Sequence, residues 1–233
     1  MTYELATPEP PRLRIAIASG HVEVEADETA ATVVEVDADE DEFQVEQRGR
    51  EIVLEQRKKL GRGRSFDVRV RAPSGCDVEI EVASADVLTR GRIGDARIRS
   101  ASGEVELDTV AGRLDLTTAS GDVAVGTAAE GGSIRTASGD VVVGEAGGRL
   151  DVTTASGDLA IAAIARGALD LKSASGDMRI GIKQGSRFRV DARSLSGDAV
   201  SELEVLSVET STEGPLVDLK ATSMSGDIRI ARA

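Results

Sequence analysis

One short phrase recurs at a nearly constant interval along the chain, and this interval constrains the fold more than any other feature. The Ser-Gly pairs of the phrase place glycines at Gly103, Gly121, Gly139, Gly157 and Gly176. Successive glycines are 18, 18, 18 and 19 residues apart, and looser copies follow at Gly197 and Gly226. A fixed period near 20 residues is typical of stacked repeats, in which each coil buries its apolar edge against the next.

Each repeat contains two short apolar alternations, which is the pattern of two half-buried strands. Val123 and Val125 share one side of one strand, and Leu114 and Leu116 share one side of the other. In a stack, equivalent residues form an inward column through Val87, Val105, Val123, Val141, Leu159 and Met178. A second column runs through Ile98, Leu116, Ile134, Val152 and Leu171. We therefore predict an all-β fold, a parallel β-solenoid of about 18-residue coils with almost no helix.

The Ser-Gly-Asp triplet of each repeat has the chemistry of a corner. Glycine adopts a positive φ there without steric cost, while Ser and Asp can hydrogen-bond the backbone of the turn. Two other repeat folds have related periods. Left-handed β-helices repeat an apolar residue every six positions, but from Val123 this rule reaches Ala129 and then Arg135. Calcium-binding β-rolls repeat a nine-residue Gly-rich motif, whereas here the two halves of the unit differ.

Less regular β-segments flank the repeats on both sides. Residues 1–75 form a predicted N-terminal β-region, in which runs such as RLRIAIA and FDVRVRA alternate apolar and polar residues. Residues 76–185 form the predicted regular β-solenoid, and residues 186–233 form irregular C-terminal coils and a cap. Phe188 is expected to help close the end of the stack, because the terminal repeat of a solenoid exposes its core.

The serial ASGDV, ASGDL and ASGDM units, together with IASGHVEV near the start and MSGDIRI near the end, carry a family resemblance. The chain resembles a β-strand-repeat family of unknown function that carries the label putative adhesin. The resemblance extends over roughly residues 10–231. It implies a right-handed parallel β-solenoid with flanking β-structure, and it implies no catalytic residues.

Composition narrows the classes of partner and the compartment. The formal net charge is −13, which opposes binding to nucleic acid phosphates or anionic lipid but allows a protein partner or a cation. No stretch approaches 18 apolar residues, and the N-terminus lacks a basic segment followed by an apolar run, so neither a membrane span nor a secretory signal is expected. Cys76 is the one cysteine, which agrees with a reducing compartment. The expected location is cytoplasmic.

The sequence offers no set of residues suited to catalysis. His21 is the one histidine, so it has no second imidazole for a metal site, and its strand-like surroundings suggest no pocket. The many serines beside carboxylates are repeated, whereas a nucleophile needs one distinctive, activated serine. We therefore predict a non-enzymatic protein without a cofactor, which acts as a structural or protein-interaction scaffold. A cation-assisted ligand-binding or adhesive module is the alternative.

The corner aspartates form the candidate metal site. Stacked coils lie about 4.8 Å apart, so Asp122, Asp140 and Asp158 would form a carboxylate ladder. Each neighbouring pair would repel by about 0.9 kcal/mol in a water-like dielectric. A bound cation would relieve this repulsion, and so would hydrogen bonds from backbone N–H groups of the turns.

Two surface segments are candidates for interaction. One is the basic loop QRKKLGRGR, which is either solvated or a contact for an anion or an acidic partner. Its basic residues are Arg57, Lys58, Lys59, Arg62 and Arg64.

The other segment is an outward stripe of small apolar residues, Ala124, Val142 and Ala160, on the strand whose inward residues include Val123. Contiguous exposed apolar surface usually marks an interaction. We expect either the chain's own terminal β-regions, a protein partner or a second copy to cover this stripe. The outward positions of the opposite strand are charged or polar, as on an ordinary solvated face.

Overall fold

Strands account for all the regular structure in the residues that the computed structural model describes, which are 1–39, 41–57, 64–203 and 214–233. No helix occurs within these ranges, as predicted. The strands are β1 (Thr2–Ala6), β2 (Arg12–Asp27), β3 (Ala31–Val36), β4 (Phe43–Arg48), β5 (Glu51–Gln56), β6 (Phe66–Pro73), β7 (Asp77–Ile93), β8 (Ala96–Ser102), β9 (Val105–Val110), β10 (Leu114–Ser120), β11 (Val123–Ala128), β12 (Gly131–Ser138), β13 (Val141–Ala146), β14 (Arg149–Ser156), β15 (Leu159–Ile164), β16 (Gly167–Ser175), β17 (Met178–Ile182), β18 (Arg187–Ser196), β19 (Ala199–Ser201), β20 (Leu216–Ser225) and β21 (Ile228–Arg232).

Strands one repeat apart pair in parallel and form two stacks. Stack A contains β9, β11, β13, β15 and β17, and stack B contains β8, β10, β12, β14 and β16. The long strand β7 runs through a corner and pairs with both β8 and β9. We call the outward surface of stack A face A and that of stack B face B. This arrangement confirms the predicted all-β parallel solenoid.

The two predicted inward columns are confirmed and form the core between the stacks. Val123 lies in register between Val105 and Val141, and Leu116 lies between Ile98 and Ile134. All the members of these columns are buried. Burial contributes about 1.5–3 kcal/mol for each such side chain, and one coil has too few of them to fold alone.

The corner glycines allow the coils to stack directly on one another. Gly139 has a φ of +116°, and a Cβ atom there would lie 2.3 Å from the carbonyl oxygen of Gly121 in the preceding coil. A larger residue would therefore be strained by its backbone and would also collide with the neighbouring coil. This explains why the sequence keeps Ser-Gly at this position in successive repeats.

The order of the coils in the stack differs from their order in the chain at both ends. Strand β2 lies between β7 on one side and β5 and β6 on the other. Strands β20 and β21 lie between β16–β17 and β18–β19, in register with both. The coil that contains β2 and the last coil of the chain are therefore each covered by another layer, which protects the C-terminal strand from fraying.

Different elements cover the two ends of the stack. At the N-terminal end, β1, β3 and β6 pair antiparallel, and β4 and β5 form an antiparallel hairpin. At the C-terminal end, β18 is the outermost described strand of stack B, and it places Phe188 opposite Val217. Phe188 is half-buried, and the guanidinium of Arg232 lies 5.2 Å from the centre of its ring. The expected contribution of Phe188 to closing this end agrees with its position.

Candidate interaction surface

The corner aspartates form a continuous ladder in which each carboxylate bonds to the next coil. Asp122 Oδ1 accepts the backbone N–H of Asp140 at 2.9 Å, and Asp140 Oδ1 accepts that of Asp158 at 2.8 Å. Asp158 Oδ1 in turn accepts the N–H of Asp177 at 2.9 Å. Each bond compensates part of the repulsion between neighbouring carboxylates, because a hydrogen bond to a charged acceptor is stronger than one between neutral groups.

These bonds leave the ladder without the geometry of a metal centre. Within the described ranges, no group of three or more His, Cys, Asp or Glu side chains converges to hold a metal ion. Asp122, Asp140 and Asp158 are spaced along an edge and are not gathered around one point. Asp122 and Asp140 are exposed and Asp158 is half-buried, so the three carboxylates give this edge negative charge.

The ladder is longer than the repeat phrase indicates. Register places Asp67, His21 and Asp86 in one row, because β2 lies between β6 and β7. The row then continues along the edge of face A through Glu104, Asp122, Asp140, Asp158, Asp177, Asp227 and Asp198. Sequence reasoning missed its N-terminal part, because the position of β2 in the stack depends on long-range pairing.

The predicted apolar stripe lies on face A beside this ladder. Ala124 pairs with Val142, and Val142 pairs with Ala160, so the three side chains form one outward row. Val142 is 48% exposed, Ala124 is exposed and Ala160 is half-buried. The other exposed large apolar residues in the described ranges, Leu195, Val200, Leu216 and Met224, all belong to the two outermost C-terminal coils. Val142 is therefore exceptional within the regular coils.

A shallow groove of about 490 Å³ follows the stripe. Gly126 and Gly144 form its floor next to Ala124 and Val142, and Leu88 lies at its N-terminal end. Because Gly126 and Gly144 occupy equivalent positions in two successive coils, no side chain fills the space there. Within the described ranges, neither terminal region covers this groove, and Val142 stays 48% exposed.

Charged residues flank the stripe within its own row. In register, Glu106 precedes Ala124 and Arg179 follows Ala160. Arg90, Glu106 and Asp108 line the N-terminal half of the groove. Arg179 lies 3.6 Å from a carboxylate oxygen of Asp158 and 3.8 Å from one of Asp177, and its side chain stays 55% exposed. The apolar stripe therefore lies between an acidic and a basic residue of its own row.

Face B has the solvated character that the sequence predicts. Its outward residues form ion pairs between or within coils, such as Arg99 with Glu81 at 3.0 Å and Arg149 with Asp151 at 3.0 Å. These pairs are exposed and contribute about 0–1 kcal/mol each. Face B therefore presents alternating charges without an apolar groove, in contrast to face A.

The comparisons with known proteins agree with this architecture. A family model described as Toastrack DUF4097 matches residues 11–231. The chain belongs to this family. No protein with a curated function matches the Toastrack chain significantly in sequence.

Two solved structures resemble the Toastrack chain over nearly its whole length. One is a putative adhesin from Bacteroides fragilis, with 12% identity and a TM-score of 0.59 over 99% of this chain and 96% of that one. The other is a putative adhesin from Parabacteroides distasonis, with 14% identity and a TM-score of 0.54 over 98% and 96%. At such low identity the likeness shows the fold and confirms the β-solenoid of the family resemblance.

The basic loop of this Toastrack protein is described in part. Arg57 and Arg64 lie at its two ends, and Lys58, Lys59 and Arg62 fall outside the described residues. Arg64 pairs with the carboxylate of Glu42 at 2.6 Å, and the backbone N–H of Arg57 donates to the carbonyl of Glu42 at 2.8 Å. An acidic turn therefore lies against both described ends of the loop and offsets part of its charge.

Cys76 of the Toastrack chain is fully buried at the start of the regular repeats. Burial, with a smaller effect of the neighbouring Asp77 carboxylate, raises the pKa of its thiol to about 12. A thiol that stays protonated is a poor nucleophile and a poor metal ligand. Cys76 therefore acts as a small apolar side chain.

No helix within the described ranges is long and apolar enough to cross a membrane.

Proposed function

We propose that this Toastrack protein is a non-enzymatic scaffold that binds protein through the groove on face A. The observation that carries the proposal is the exposure of Val142 and Ala124 in a groove whose charged residues lie at one end, within coils whose other large apolar side chains are buried. An apolar strip with a charged rim is the surface that protein interfaces use. Interaction residues are Ala124, Val142 and Ala160, with Arg57, Lys58, Lys59, Arg62 and Arg64 as a secondary contact.

The repetition of the corner groups supports a non-enzymatic role. Catalysis needs a group whose environment differs from that of its neighbours. Asp122, Asp140 and Asp158 each make the same bond to the next coil, so none of the three has a distinct role. The acidic ladder and the net charge of −13 favour a protein partner over nucleic acid.

A photo-crosslinking amino acid in place of Val142 tests the proposal in the cells that make the protein. The matched control carries the same group in place of Thr153, which is exposed on face B. We expect discrete protein adducts at position 142 and none at position 153. Equal adducts at the two positions, or none at 142, would contradict a specific docking site on face A.

The acidic ladder supports a second candidate function, a cation-assisted ligand-binding or adhesive module. Its row of carboxylates at one edge is the feature that would attract a divalent cation. A thermal melt tests this candidate by comparing the melting temperature in millimolar calcium with that in buffer free of calcium and magnesium. A higher melting temperature that disappears in Asp140→Asn would support it, and an unchanged melting temperature would reject it.

We also propose a reducing, cytoplasmic location. Cys76 has no cysteine to pair with in the sequence, and its buried, protonated thiol is protected from oxidation. Fractionation of the producing cells tests this location. Recovery of the protein outside the cytoplasmic fraction would reject it.

A further inference from the structure

The apolar row of face A has opposite charges at equal distances from its centre. Register places Glu106, Ala124, Val142, Ala160 and Arg179 in five successive coils of one outward row. Glu106 and Arg179 therefore each lie two coils from Val142, or about 10 Å at the usual strand spacing. The row reads as acid, small, valine, small, base in the direction of the stack.

Because of this order, the row in one copy is complementary in charge to the same row in a second copy that runs in the opposite direction. Consider a second copy related to the first by a two-fold axis that passes through Val142 and runs parallel to the strands. Each coil that precedes Val142 in one copy then faces the coil that follows Val142 by the same number of coils in the other copy. Glu106 of each copy then faces Arg179 of the other, which gives two equivalent ion pairs at the ends of the row. Such a self-complementary contact is the isologous interface of a C2 dimer.

We propose that the groove on face A docks a second copy of this chain with the two stacks antiparallel, an inference that rests on the proposed role of face A in protein binding. Val142 packs against its counterpart at the axis, and Ala124 packs against Ala160 of the other copy. Small side chains allow two sheet faces to approach closely. The contact removes from water the apolar groove that the single chain exposes.

The opposite arrangement of two copies is unfavourable. A two-fold axis along the stack would place Arg179 opposite Arg179 and Glu106 opposite Glu106. Like charges brought together at an interface oppose association and suppress the wrong arrangement. The charge order of the row therefore selects antiparallel stacks.

The acidic ladder weakens the same dimer. The proposed axis places Asp140 of one copy beside Asp140 of the other at one margin of the interface, and each chain carries a net charge of −13. The dimer is therefore weak and reversible at low salt. Removal of the charge of Asp140 strengthens it, whereas removal of the charge of Glu106 weakens it. This pair of opposite effects is specific to the proposed geometry.

Sedimentation velocity of the full chain over a range of concentrations tests the dimer. We expect association of the 24.3 kDa chain at micromolar concentrations. Glu106→Arg and Arg179→Glu should each weaken it by about tenfold or more, and the double variant should restore it. Arg135→Glu, which makes the same charge change on face B, is the matched control and should leave association unchanged.

Three results would overturn the dimer. They are a monomer at every concentration, an association that the two single variants leave intact, and a double variant that is no better than the single ones. Circular dichroism of each variant ensures that lost association does not reflect lost folding. If crosslinks at position 142 capture another protein while sedimentation shows a monomer, the dimer fails and the scaffold function stands. If position 142 yields no adduct either, both fail.

Discussion

Asp122 and Asp140 are 18 residues apart in the chain, and the carboxylate of the first accepts the backbone N–H of the second at 2.9 Å. The same bond recurs from Asp140 to Asp158 and from Asp158 to Asp177. Each aspartate thus stabilises the corner of the following coil. The bonds explain how a row of carboxylates persists at one edge without a buried counter-charge.

The first prediction concerns this bond. Asp140→Ala removes the acceptor for the N–H of Asp158, and we expect a loss of about 1 kcal/mol in the free energy of unfolding. Urea denaturation measures it. Asp151→Ala on face B is the control, because Asp151 makes an exposed ion pair with Arg149 that contributes little. An equal loss in the two variants would contradict a stabilising role for the ladder bonds.

The second prediction separates backbone strain from collision at the corners. Gly139→Ala combines a positive φ with a Cβ atom only 2.3 Å from a backbone oxygen, and we expect about 3 kcal/mol of destabilisation. Gly49→Ala is the matched control, because Gly49 has a φ of +62° but no atom within 4 Å of the added Cβ. It should lose only about 1 kcal/mol. Similar losses would mean that the close approach of the coils contributes nothing.

The third prediction concerns the buried thiol. Folding holds the Cys76 pKa at about 12 instead of 9.0, so both states are protonated below pH 9 and stability there is independent of this group. Between pH 9 and pH 12 the unfolded chain loses the thiol proton while the folded chain keeps it, so stability falls as pH rises. At pH 10 the loss amounts to about 1.4 kcal/mol.

Urea denaturation at pH 8 and pH 10 measures this effect. The control is Cys76→Val, which keeps an apolar side chain and removes the titrating group. The drop in stability from pH 8 to pH 10 should be smaller in Cys76→Val than in the natural chain. An equal drop in both would show that other groups cause it.

The local part of the fold could be predicted from the sequence because it repeats. The columns through Val123 and Leu116, the glycine corners and the exposure of Val142 all follow from the 18-residue period and the alternation of strand residues. The same period predicts that the corner aspartates form a ladder, with a cation or backbone donors as the compensating partner. The structure shows the backbone donors.

The order of the outer coils could not be predicted in this way. The coils that contain Ser173, Ser194 and Ser223 carry the same S-x-S-G-D phrase, so the phrase itself does not determine which coil stacks on which. The pairing of β20 with β16 depends on packing over a long separation in the chain. For the same reason, the place of His21 in the acidic row became visible only once the register was known.

The fourth prediction tests the stack order itself. Leu219 of β20 is fully buried because β18 lies outside it, whereas Val190 of β18 is only half-buried although it precedes Leu219 in the chain. Leu219→Ala should cost about 3 kcal/mol, because it leaves a cavity between two layers. Val190→Ala should cost about 1 kcal/mol or less, because the outermost layer has only one neighbouring layer to lose contact with. Urea denaturation of the two variants compares these costs. If the coils followed chain order, β20 would be outermost and the ranking of the two variants would be reversed.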